Sequence, residues 1–151
     1  MVNATLAHNA SMMSMVISEV EKSIEKSRET LDEILERNSS ISSYQELERS
    51  KDLMKLYGEC ADDYVKLCFM LTSISESVMD LRTVRKLLMS GESDVIPSFQ
   101  KTYKRRIDDT IEQMTLLKEA VQASKLGLEA RVRYYGSCAY TSYDKIMGAK
   151  C

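Results

Sequence analysis

From Met12 to Arg37 apolar residues recur three or four positions apart. Ile17, Val20, Ile24, Leu31 and Ile34 form the series, and Ser27 is its one polar interruption. That spacing puts them on one face of an α-helix, and the run is heptad-like, as in helices that pair as coiled coils. Glu21, Lys22, Glu25, Lys26 and Glu29 cover the other side. Met12, Met13 and Met15 read as core filler at the helix start. Residues 1–11 are small and polar and form a flexible arm.

Asn38 to Ser43 reads as a Ser/Asn loop. A second helix opens at Tyr44, with Tyr44, Leu47, Met54, Tyr57, Ala61, Tyr64, Cys68 and Leu71 on its inner face. Gly58 inside it costs about 1 kcal/mol relative to alanine and marks a bend or a close approach. Ser73-Ile74-Ser75-Glu76 has the form of a capping box, with Ser73 as N-cap. It would start a third helix bearing Val78, Leu81, Val84, Leu87 and Leu88; the alternative is one long, kinked helix through both stretches.

Ser90-Gly91-Glu92-Ser93-Asp94 is a turn, with Gly91 suited to end a helix and Pro97 suited to begin one. A fourth helix follows, with Phe99, Tyr103, Ile107, Ile111, Met114, Leu117, Val121, Leu128, Val132 and Tyr135 facing inward. Gly136 is expected to end it, and Cys138 to Met147 to form a short fifth helix. The pattern specifies an all-α fold, a four- to five-helix up-down bundle in a single domain over residues 1–151. No strand periodicity competes.

Composition agrees: one Pro and five Gly among 151 residues favour helices. The net charge of −2 argues against nucleic acid as a partner, because phosphate binding needs an excess of Lys and Arg. No apolar run approaches the ~20 residues of a transmembrane helix. The N-terminus lacks the basic and apolar regions of a signal peptide, so the chain reads as cytosolic or as a mature secreted form. All three asparagines, Asn3, Asn9 and Asn38, stand in glycosylation sequons, which favours secretion.

The four cysteines are Cys60, Cys68, Cys138 and Cys151. On an intact helix Cys60 and Cys68 lie about 12 Å apart, too far for a bond that needs Cα atoms within about 7 Å. In an up-down bundle Cys68 and Cys138 fall at the same end, and a returning fifth helix carries Cys151 toward Cys60. The expected disulfides are therefore Cys68–Cys138 and Cys60–Cys151, each contributing roughly 2–4 kcal/mol; the alternative is four reduced thiols in a cytosolic protein. The spacing is not that of paired zinc ligands, and the one histidine, His8, is remote in sequence from every cysteine. No metal and no cofactor are expected.

Two surfaces are candidate binding sites. The turn at Gly91 brings Arg82, Arg85 and Lys86 beside Lys101, Lys104, Arg105 and Arg106, a cationic cluster for a carboxylate, a sulfated glycan or an acidic protein face. Tyr57, Tyr64, Tyr134, Tyr135, Tyr140 and Tyr143 are expected to crowd one region, either packing at the edge of the core or lining a pocket between helices. For catalysis the chain offers no Gly-rich phosphate loop and no histidine beside a nucleophile, so a non-enzymatic role is expected.

The segments Tyr57-Gly58-x-Cys60 with Cys68, and Tyr135-Gly136-x-Cys138 with the final Cys151, resemble in layout the C-terminal helical domain of the aegyptin family, the anopheline antiplatelet proteins of mosquito saliva, and related small salivary helical proteins. The resemblance implies a secreted binding protein that blocks platelet activation by engaging collagen, or that sequesters eicosanoids such as leukotrienes and thromboxanes. The partner would be a host protein or a small amphipathic lipid. That family's acidic Gly-Glu-rich arm is absent, which puts collagen binding in doubt. Two further readings are an intracellular coiled-coil or adaptor module, suggested by the heptad-like first helix, and a membrane-inserting toxin fragment, suggested by the Met-rich start.

Overall fold

The computed structural model describes residues 10–39, 53–90 and 95–149, with side chains described over 11–38, 55–90 and 95–137. Among the described residues the chain is all-α. Its helices are α1 (Ala10–Ser39), α2 (Leu53–Met89) and α3 (Pro97–Ala149). None is long and apolar enough to cross a membrane. The residues gather into two compact units: unit 1 is Met1–Glu29 with Met70–Ala120, and unit 2 is Thr30–Phe69 with Val121–Cys151.

Burial recurs every seven residues along α2 and α3. Cys60, Leu67, Ile74, Leu81 and Leu88 are buried on α2; Ile107, Met114, Val121, Leu128 and Tyr135 are buried on α3. On α1 the intervals alternate between four and three through Met13, Ile17, Val20 and Ile24, resuming at Leu31 and Ile34. A seven-residue apolar repeat is the pattern of knobs-into-holes packing, in which each buried side chain enters a hole on a facing helix. Each fully buried Leu or Ile contributes roughly 1.5–3 kcal/mol.

Unit 1 packs the first part of α1, the second part of α2 and the first part of α3. Arg106 joins α3 to α1, its Nη2 lying 2.6 Å from Glu21 Oε1 and 3.1 Å from Ser18 Oγ. Arg85 Nε donates to Asp108 Oδ1 at 2.8 Å. Both ion pairs are well exposed, so each is worth at most about 1 kcal/mol. Thr110 is buried at a heptad position and satisfies its hydroxyl internally, donating to the Arg106 carbonyl at 2.7 Å. At the end of α2 the Ser90 amide reaches the Lys86 carbonyl and its hydroxyl reaches that of Leu87. Pro97 is the first residue of α3, as its fixed φ favours.

The helix count differs from the four or five expected. Ser73 does not cap a new helix; α2 runs through it, because Ile74 continues the seven-residue repeat that Cys60 and Leu67 begin. Gly136 does not end α3, which continues to Ala149 in place of a returning fifth helix. Asn38 and Ser39 extend α1, where a loop was expected. The residue 1–9 part of the arm, the loop beyond Ser39, the helix start at Tyr44 and residues Gly91 to Asp94 lie outside the described residues.

The inner face of α2 is also rotated. The face read from Tyr57, Ala61, Tyr64, Cys68 and Leu71 is only half-buried, while Cys60, Asp63 and Leu67 are buried. A shift of one residue turns a helix by about 100°. Phe99 and Met15, expected inside, are exposed.

The structure does not support the expected disulfides. Cys60 and Cys68 are both thiols; Cys151 and the Cys138 side chain lie outside the described residues. Within unit 2, α2 and α3 run antiparallel with Tyr57 against Gly136. That register separates positions 68 and 138 by about 20 Å of helix rise. With α3 unbroken, no returning segment carries the chain from Cys138 toward Cys60.

Candidate functional site

The last turn of α1 ends in a polar layer within unit 2. Asn38, Cys60, Asp63 and Arg131 stand at positions of the heptad repeat that elsewhere are mostly apolar. Arg37 donates to both oxygens of Asp63, from Nη2 at 2.7 Å and from Nε at 3.4 Å. Asp63 is buried, whereas the Arg37 side chain is 47% exposed and keeps much of its hydration. The hydrogen bond to Asp63 raises the Arg37 pKa above its ordinary value, burial opposing it.

Asn38 is the centre of the layer. Its Nδ2 donates to the Ile34 carbonyl at 2.7 Å and lies 3.5 Å from Asp63 Oδ2. Its Oδ1 accepts from the Cys60 thiol at 3.5 Å. Arg131 Nη1 donates to the Asn38 carbonyl at 2.6 Å and approaches Oδ1 at 3.4 Å. The final carbonyls of a helix lack intrahelical donors and carry partial negative charge, so a guanidinium there caps the helix electrostatically. Burial is the main cause pushing the Cys60 thiol pKa up; Arg131 pulls it the other way. A protonated, buried thiol is a poor nucleophile.

A cleft of about 360 Å³ opens beside this layer. Ile34, Leu35 and Asn38 of α1 form one side; Ala123, Ser124, Gly127, Leu128 and Arg131 of α3 form the other. It exists because α3 presents small residues there. A Cβ at Gly127 would meet nothing within 4 Å. Among the described residues no carboxylate forms an ion pair with Arg131. The cleft is thus largely apolar along its length and cationic at one end, an arrangement able to hold a small amphipathic anion. Among the described residues no three His, Cys, Asp or Glu side chains converge as a metal site.

Among the described residues, none of the tyrosines lines this cleft. Tyr135 is fully buried in the heptad core and meets Tyr134 edge-on at 6.1 Å. Tyr57 packs on Gly136, and the Lys125 ammonium lies 5.7 Å from the centre of the Tyr64 ring. The side chains of Tyr140 and Tyr143 lie outside the described residues. The cationic residues Arg82, Arg85, Lys86, Lys101, Lys104, Arg105 and Arg106 all belong to unit 1. Sequence reasoning missed Asp63, Gly127 and Arg131 as site residues. Their one signal is a polar or small residue on the repeat or beside it, legible only once the phase of the repeat is known.

Comparison with known protein families, curated proteins and solved structures finds no match to this chain.

Proposed function

We propose that this chain is a non-enzymatic binding protein whose unit 2 cleft takes a small amphipathic anion, with the apolar part beside Ile34, Leu35 and Leu128 and the anionic head toward Arg131. One observation carries the reading: a guanidinium with no carboxylate partner among the described residues lines an apolar cleft that the lack of a side chain at Gly127 leaves open. A volume of about 360 Å³ is at the lower end of small-molecule sites. A fatty-acid-derived carboxylate is the ligand class that matches both ends. The secreted, sequestering role implied by the resemblance to salivary inhibitors belongs to this reading.

The test is displacement of a fluorescent polyene fatty acid, followed by calorimetry with unlabelled carboxylates. Saturable single-site binding is expected, lost in Gly127→Leu, because Gly127 lines the cleft and a Cβ there meets nothing within 4 Å. Arg131→Gln is the weaker variant, because it also removes the cap on α1. Absence of binding, or binding unchanged in Gly127→Leu, would refute the assignment.

An intracellular adaptor is the second reading, favoured by Cys60 as a buried thiol and by the Asn38 amide, which bonds to the Ile34 carbonyl and is therefore poorly placed to carry a glycan. Intact mass with and without reduction separates the two. Two disulfides in natural material would exclude the adaptor; free thiols with a dimer by light scattering would favour it.

A further inference from the structure

We propose that the end of unit 1 where α2 passes into α3 is a peripheral docking surface for an anionic phospholipid bilayer. Met89 closes α2, Ile96 precedes Pro97, and Phe99 sits in the first turn of α3. All three are more than half exposed. Their backbone is fixed: Val95 is buried, and the Phe99 and Gln100 amides donate to the Ile96 carbonyl at 2.8 and 3.2 Å. Three large apolar side chains are therefore exposed at the adjoining ends of α2 and α3.

Cations flank them on both helices. Lys86 lies one turn before Met89, Lys101 two residues after Phe99, and Arg82, Lys104 and Arg105 one or two turns further from the tip. Arg85 is paired with Asp108 and Arg106 with Glu21. Among the described residues the other five have no carboxylate partner at ion-pair distance. From Arg82 to Arg106 the chain has seven basic residues against Glu92 and Asp94, while the whole chain carries −2. The positive charge is thus local, and long-range attraction to an anionic surface orients this end toward it.

Apolar tips within a collar of Lys and Arg match a bilayer interface, where the tips enter the acyl boundary and the cations meet lipid phosphates and carboxylates. Since none of the described helices can span a membrane, the contact is superficial.

The experiment is flotation of the full chain with phosphatidylcholine vesicles, with and without phosphatidylserine, at low and high salt. Binding is expected only with phosphatidylserine and should weaken as salt rises. Ile96→Ser with Phe99→Ser should lower partitioning at least about tenfold. Lys101→Glu with Arg105→Glu should lower it by roughly thirtyfold or more, at about fivefold per cation lost. These positions are exposed, so circular dichroism should be unchanged; if a pair unfolds, the single exchanges Phe99→Ser and Lys101→Glu give the same reading. No binding to phosphatidylserine vesicles, or equal binding to phosphatidylcholine alone, overturns the proposal. So does loss in the charge variant with no change in the apolar one, which marks an acidic protein or polyanion surface. Self-association abolished by Ile96→Ser with Phe99→Ser, without vesicle binding, would assign the tip to a second copy of this chain.

Discussion

The ring of Tyr57 lies against Gly136 so closely that a Cβ at position 136 would stand 3.3 Å from its Cε2 and 3.9 Å from its Cδ2. Glycine is the residue that lets α2 and α3 approach at this level of unit 2. Gly127, nine residues earlier on α3, faces open space. The same substitution therefore has two expected outcomes. Gly127→Ala should stabilise by about 1 kcal/mol through helix propensity. Gly136→Ala should be near neutral, its propensity gain offset by crowding, and should recover about 1 kcal/mol in a Tyr57→Ala background. Urea unfolding of the four variants completes the cycle; equal gains at both glycines in the wild type would mean that the Tyr57 ring yields freely.

Ser73 distinguishes one long helix from two. As an N-cap, its replacement by alanine would cost roughly 0.5–2 kcal/mol. In the interior of α2, exposed to solvent, the same change should be neutral or stabilising by a few tenths of a kcal/mol. A shift in denaturation midpoint to lower urea would restore the break.

Asp63 occupies a buried heptad position and holds Arg37. Asp63→Ala leaves a small void and removes an acceptor from Arg37, for an expected loss of about 1–3 kcal/mol. Asp63→Leu should cost less, since an apolar side chain restores the repeat and the well-exposed Arg37 regains water. If leucine proves as damaging as alanine in urea titrations, the polar layer contributes more than burial alone explains.

Cys60 gives a pH signature. Its folded pKa is raised by burial, so the protonated thiol favours the native state. That contribution is complete below the unfolded thiol pKa, about 8.5. It is lost as pH climbs through the raised folded value. Stability should fall in this alkaline window, and Cys60→Val should lack that component of the fall. In a chain whose other cysteines are serine, reaction with a chromogenic disulfide at neutral pH should be slow and should accelerate in urea. Fast labelling of the native chain would contradict the burial.

The α1 face was legible because Ile17, Val20, Ile24, Leu31 and Ile34 keep one phase with few apolar residues off it, and all five are buried. The passage from α2 to α3 was legible from Pro97. The phase of α2 was not. Tyr57, Ala61, Tyr64, Cys68 and Leu71 form a plausible stripe one position from the true one, and the true one contains an aspartate. Asp63 is tolerated inside because Arg37, twenty-six residues away, lies 2.7 Å from it.

What the sequence determined by itself is helical periodicity, which neighbours three and four residues apart impose on one another. What only the tertiary structure decided is which stripe of α2 is buried, that α2 and α3 run unbroken, and that a cleft stands beside Arg131. Those outcomes depend on partners distant in the chain: Asn38 with Arg131, Cys60 with Asn38, Tyr57 with Gly136. A polar or small residue at a core position is costly or harmless according to what a facing helix places against it. Local spacing holds no record of that register until the helices pack.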